Sequence, residues 1–216
     1  MTRTFHPWQF HAQDNGQSIV LPDGCRDILV IQKQNAPDVL HLTEWDHQPR
    51  QIDIQAGTRM RGYRLRPGTE VSDELVKELR DTSDIPGLLA HLPQNTEWPE
   101  IIADLARADS DLPNIARQCG VGLRTLQRQF QRRSLPPPEF WRLLGRARRA
   151  ALDLRSPTPL AHIAQDHGYA DQAHFSRDMR RWFGFSPRAL RNRPDLLLQM
   201  SEPALSTWTA EHSSIK

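Results

Sequence analysis

The second half of this 216-residue chain says almost the same thing twice. Residues 115–130 read IARQCGVGLRTLQRQF, and residues 163–179 read IAQDHGYADQAHFSRDM. Ile115–Ala116 returns as Ile163–Ala164, Gly120 as Gly168, Leu126 as Phe175, Arg128 as Arg177 and Phe130 as Met179. The offset is 48 residues up to the glycine and 49 beyond it, so the second copy carries one extra residue at its turn. Each copy holds a short apolar-periodic helix, a glycine able to leave the helical region, and a longer helix with a polar outer face. That is the pattern of a helix-turn-helix, the unit that sets one helix into the DNA major groove. Two of them allow a single chain to read two groove segments.

Charge is divided along the same line. Residues 112–193 contain 16 arginines and no lysine against 5 acidic residues, a balance of +11, while the rest of the chain holds 12 basic against 21 acidic residues, a balance of −9. The net charge of +2 conceals this segregation, which is the electrostatic footprint of a module that meets phosphate attached to one that does not. No apolar run approaches the length of a membrane span. The first residues, MTRTFHPWQFHAQ, lack the apolar core of a signal peptide, so cytoplasmic residence is expected and no membrane partner. Two cysteines, Cys25 and Cys119, fall in different parts of the chain and speak against a disulfide framework.

The expected fold class is α+β in two domains, a small antiparallel β domain ahead of an all-α domain. Residues 1–70 supply short β-type runs at Ser18–Leu21, Asp27–Gln32, Val39–Leu42, Gln51–Gln55 and Met60–Leu65, with Pro22–Asp23–Gly24 as a turn. Five such strands make a partial, cupin-like sheet, too little chain for a roomy closed barrel. Residues 71–97 read as a helical connector, with Val71, Leu75, Leu79, Leu88 and Leu89 at helical spacing and Pro93–Thr96 as a linker. Residues 98–193 read as the basic domain, opened by an amphipathic helix at Trp98–Ala108. In it, Pro136–Pro138 starts a long helix running through Arg155 between the two motifs, and Ser186 caps a short closing helix. Residues 194–216 read as a polar tail, frayed beyond about residue 200.

On the first motif, Ile115, Ala116, Cys119, Val121, Leu126 and Phe130 fall on one side as a small core, leaving Leu123, Arg124, Gln127, Arg128 and Gln131 outward. On the second, Ile163, Ala164, Tyr169, Phe175, Met179 and Phe183 form the core, with Gln172, Ala173, His174, Ser176, Arg177 and Arg180 outward. Arginine can pair with both acceptors of guanine, and glutamine with adenine. Arg124, Gln127, Arg128, Gln172, His174 and Arg177 are therefore the expected base contacts. Thr125, Ser176, Arg142, Arg146, Arg149, Arg180, Arg181 and Arg188 are the expected phosphate contacts, and Arg148 and Arg191 join the arginines assigned to phosphate or to internal pairs. Asp171 has the type and position of a helix cap. A joining helix from Pro137 to Asp153 spans roughly 25 Å, enough to hold two recognition helices near the ~34 Å repeat of the groove if the DNA bends slightly.

Residues 98–193 closely resemble the DNA-binding domain of the AraC/XylS family of bacterial transcription regulators. The carrying segments are IARQCGVGLRTLQRQF, the joining PPPEFWRLLGRARRAL, and HGYADQAHFSRDMRRWFGFSPRALR, whose order of GY, HFSR and FGFSP is the most specific. The resemblance implies sequence-specific binding of double-stranded DNA at a promoter or operator, with RNA polymerase and a second copy of the chain as further candidate partners. Ser134–Leu135–Pro136 departs from the glycine turn usual in that family. PDGCRDILVI and GYRLRPG resemble, less specifically, the shortened front domains of some of these regulators, which sense or dimerise. The effector is unknown from the sequence.

Two other readings concern the front half. Cys25 could accept a methyl group, as in DNA-repair proteins fused to the same DNA-binding unit, but that family needs a four-cysteine zinc site. Alternatively, the front domain is a protein-interaction module without an effector. His6, His11, His41 and His47 with Cys25 show no metal-ligand spacing. No phosphate loop, nucleophile elbow or His-Glu-x-x-His is present, so neither a cofactor nor an enzyme activity is expected.

Overall fold

A computed structural model describes residues 4–33, 37–91, 97–107 and 111–208. The front half builds six strands: β1 (Phe5–His11), β2 (Gly16–Val20), β3 (Asp27–Gln32), β4 (Val39–Leu42), β5 (Arg50–Ile54) and β6 (Arg59–Leu65). An antiparallel four-stranded sheet runs in the order β1-β6-β3-β4, and β2 pairs with β5 in a separate ribbon. β1 is absent from the sequence expectation of five strands. Its proline, two histidines and glutamine blur the alternation, and Pro7 fits because β1 is an edge strand whose outer side needs no amide.

One face of the large sheet is covered by α1 (Asp73–Asp81) and α2 (Ile85–Ala90). Leu75, Leu79, Ile85 and Leu89 close on Ile28, Val30, Tyr63 and Leu65 as one cluster. The helical connector is thus two short helices. Ser72 accepts the Leu75 amide at 3.2 Å to start α1, and Asp84 accepts the Gly87 amide at 2.9 Å to start α2. The expected linker at Pro93–Thr96 lies outside the described residues.

The remaining helices are α3 (Glu97–Leu105), α4 (Leu112–Gln118), α5 (Leu123–Arg132), α6 (Pro138–Leu152, extended by a 3₁₀ turn to Arg155), α7 (Leu160–Asp166), α8 (Gln172–Phe183), α9 (Pro187–Arg191) and α10 (Pro194–Met200). α6 is the axle. Trp141, Leu144, Ala147, Ala150 and Ala151 are fully buried along it, with Leu154 in the turn that follows. Gly145 lets it approach Ala106 so closely that an added Cβ would lie 2.8 Å from the Ala106 Cα.

One expectation is corrected. Residues 194–208 are no polar tail: Leu196, Leu197, Met200, Ala204 and Leu205 are buried, because their apolar side chains close the end of the helical core. The front half keeps its own cluster under the large sheet, yet the two halves also meet. Leu21, Ile19 and Trp45 of the front half pack into the helical cluster, and Arg66 pairs with Glu100 of α3 at 2.7 Å. Among the described residues no helix is long and apolar enough to cross a membrane.

Candidate nucleic-acid interface

The two copies of the repeat make the same turn. Gly120 and Gly168 sit at φ 69° and 67°, and in each the next amide reaches back five residues, Val121 to the Ala116 carbonyl at 3.0 Å and Tyr169 to the Ala164 carbonyl at 2.9 Å. Space around both positions is open to a Cβ, so glycine is needed there for its backbone angle alone. The extra residue of the second copy alters the start of its long helix. α5 begins at Gly122 with no side-chain cap, whereas α8 begins at Asp171, whose carboxylate accepts the His174 amide at 2.6 Å.

Both long helices turn a polar face to solvent. On α5, Arg124, Gln127, Arg128 and Gln131 are exposed and Thr125 is half-buried, while Leu126 and Phe130 are completely enclosed. Leu123, expected outward, packs partly against the core. On α8, Gln172, Arg177, Arg180 and Arg181 are exposed, and His174 and Ser176 are half-buried. The His174 ring meets the edge of Tyr169, and its Nδ1 accepts the Ala170 amide at 3.4 Å, leaving Nε2 as the donor. Arg181 also lies over the Trp182 ring, and Arg188 on α9 is exposed. All six expected base-reading residues thus lie on the two outward helices. Arg117 and Arg132 are exposed on the same motif and were not singled out from the sequence, although they belong to its arginine excess.

Several other arginines point inward. Arg146 pairs with Asp178 of α8 at 3.1 Å and stacks over Tyr169 at 4.2 Å, while the tyrosine hydroxyl donates to the same carboxylate at 3.0 Å. Burial, reinforced by Asp178, pushes that phenol far above its ordinary range. Of the two tasks expected for Arg146, phosphate contact or an internal pair, the structure shows the internal pair, which ties the axle to α8. The matching positions of the first copy, Val121 and Gln129, offer no such charge pair. Arg148 is 1% exposed and donates to the carbonyls of Pro22 and Met200. Arg191 donates to those of Leu154 and Thr158. Arg142 pairs with Glu139 one turn earlier on α6, and Arg149 is half-buried. An arginine stem suits a core wall as well as a surface, so residue type alone does not separate these tasks.

Comparison with known proteins finds the helix-turn-helix over the same segment. A family model described as a helix-turn-helix domain matches residues 115–193. The HTH-type transcriptional activator RhaS of Escherichia fergusonii is 40% identical over 86 residues, covering 39% of this chain and 31% of that protein. Residues 115–193 are thus similar to the helix-turn-helix domains of known transcriptional activators. The RhaS protein of Citrobacter koseri is 37% identical over 87 residues, again over 31% of its length. The match thus spans about a third of these curated relatives. Among solved structures, an AraC-type regulator from Chromobacterium violaceum aligns over 48% of this chain and 88% of its own, at 24% identity and a TM-score of 0.39. ToxT from Vibrio cholerae aligns over 88% of this chain and 98% of its own, at 10% identity and a TM-score of 0.43.

Outside this helix-turn-helix unit, Cys25 is buried in the turn after Asp23, and burial, with the Asp23 carboxylate adding to it, pushes its thiol well above its ordinary range. That is the environment of a packing residue and the opposite of an activated nucleophile. Among the described residues, no three His, Cys, Asp or Glu side chains gather as a metal site.

Proposed function

We propose that this chain is a sequence-specific, double-stranded-DNA-binding transcription regulator that presents α5 and α8 to successive major-groove segments. The observation that carries this reading is the pair of equivalent turns, each placing an arginine- and glutamine-bearing helix face outward from one shared axle. Arg124, Gln127 and Arg128 would read base edges from α5, and Gln172, His174 and Arg177 from α8. Arg180, Arg181 and Arg188, with Thr125, Ser176, Arg142 and Arg149 in support, would hold phosphates and fix the register. α6, with 15 residues, is about 22 Å long, so a modest bend of the duplex would bring both grooves into reach.

RNA polymerase and a second copy of the chain are the proposed protein partners, as befits a likeness to activators, and the site of action would be the bacterial cytoplasm, where the chromosome lies. The test is binding to duplex from the protein's own upstream region against random duplex of equal length. Affinity should fall with salt by about 0.9 in log K per neutralised phosphate. The upstream duplex should stay preferred at every salt concentration, and equal affinity for both would end the proposal.

A further inference from the structure

The front half touches both recognition helices, and in both cases at the C-terminal end. On α5, Arg133 is the C-cap residue. Its Nε lies 3.3 Å from a Glu70 carboxylate oxygen, and its guanidinium covers the Trp98 ring at 4.2 Å. Trp98 in turn meets the edge of Phe130 in α5. On α8, the left-handed cap residue Gly184 carries Pro49 against it, so close that a Cβ there would stand 3.2 Å from the proline ring.

The chain between β4 and β5 also grips the start of the axle. Trp45 packs edge-on against Trp141 at 5.1 Å, and His47 against Phe140 at 4.8 Å. Phe140 passes the contact to Trp182 of α8 at 5.6 Å. This segment is itself held. Thr43 exchanges hydrogen bonds with Asp27 of β3, Arg26 donates to the Thr43 carbonyl at 2.8 Å, and Arg50 pairs with Asp46. It is a stiff wedge fixed to the sheet and pressed between the axle and the second reading helix.

We propose that Trp45, His47, Pro49 and Glu70 are positioning residues: the front half braces α5 and α8 and fixes the one separation at which the pair reads DNA. This rests on the DNA-binding reading above. The physical gain is that of two linked modules. When their geometry is fixed to match the site, binding by the first presents the second at high effective concentration, and a loosened pair loses that advantage. The inference gives the front half a role in recognition without any contact to DNA.

The experiment is selection from a pool of random duplexes with the full chain, the double variant Trp45→Ala/Pro49→Ala, and Glu70→Ala. Wild type is expected to enrich two sequence elements at a single separation. The double variant is expected to enrich the same two elements over several separations and to bind the wild-type duplex at least about tenfold more weakly. Glu70→Ala, a change at a partly exposed ion pair, should broaden the separation in the same direction and decides the matter alone if the double variant does not fold. Variants that keep the single separation and the wild-type affinity would overturn the brace and leave DNA reading intact. A wild type that enriches no sequence would overturn both.

Discussion

Arg177 and Arg181 stand one turn apart on α8 and carry the same charge, but their surroundings differ, and the proposed DNA-binding function gives them different tasks. Arg177 projects freely from the outward face, whereas Arg181 lies against the Trp182 ring at the margin of the core. Arg177→Ala should cost about 1–3 kcal/mol on the preferred duplex and little on random duplex, measured by titration at fixed salt. Arg181→Ala should weaken all duplexes alike and lower the salt slope by about 1. Equal, sequence-blind losses for both would contradict the assignment. Cys25 gives a second test at this scale. Its thiol is held protonated by burial, so stability linked to it is present below the ordinary thiol value of 9.0 and is lost as pH rises above that value, where the unfolded chain ionises and the folded chain does not. Denaturation curves should therefore show stability declining above pH 9, and Cys25→Ala should flatten the decline. In the folded protein at neutral pH a thiol reagent should reach half-buried Cys119 first and leave Cys25 untouched until unfolding.

At the scale of elements, the turns divide what a sequence displays from what it hides. Gly120 and Gly168 announce their turns because the required backbone angle has one cheap residue, and the apolar period of α5 and α8 then assigns the outward faces. The end of α5 is less visible. The Leu135 amide returns to the Phe130 carbonyl at 3.0 Å, closing the same type of cap as the glycine turns, but the residue that takes the left-handed angle is Ser134, at φ 54°. A side chain there carries a steric cost that glycine avoids. Ser134→Gly should accordingly raise stability by about 0.5–1 kcal/mol, after allowing for glycine's greater freedom in the unfolded chain, as read from urea unfolding. A loss of stability would show that the serine side chain has a role beyond filling the turn. The edge strand β1 was hidden for the opposite reason. Its polar and proline residues break local rules, and only pairing with β6, 48 to 60 residues away, makes it a strand.

Across the whole molecule, the two halves keep their own core clusters but are joined by contacts that the charge division in the sequence does not reveal. Arg148 shows why. It belongs by composition to the basic half, yet it is enclosed between the Pro22 carbonyl of the front half and the Met200 carbonyl at the end of α10. Such long-range closure leaves no local pattern to read, so in the sequence the residues that seal it read as a polar tail. Leu205 is the sharpest case. It is 4% exposed, its amide donates to the Asp23 carbonyl at 3.0 Å, and its side chain covers Gly24 in the turn that holds Cys25. Leu205→Ala should thus cost about 2–5 kcal/mol, the usual range for emptying a leucine site in a core. Because the mutated contact joins the β half to the helical half, the loss should appear in one shared unfolding transition, with tryptophan fluorescence and helical circular dichroism shifting together. A change below about 0.5 kcal/mol, the range of an uninvolved surface position, would return this segment to the status of a tail. Two separated transitions would instead show that the halves fold independently, and a front half so loosely held could not brace the recognition helices.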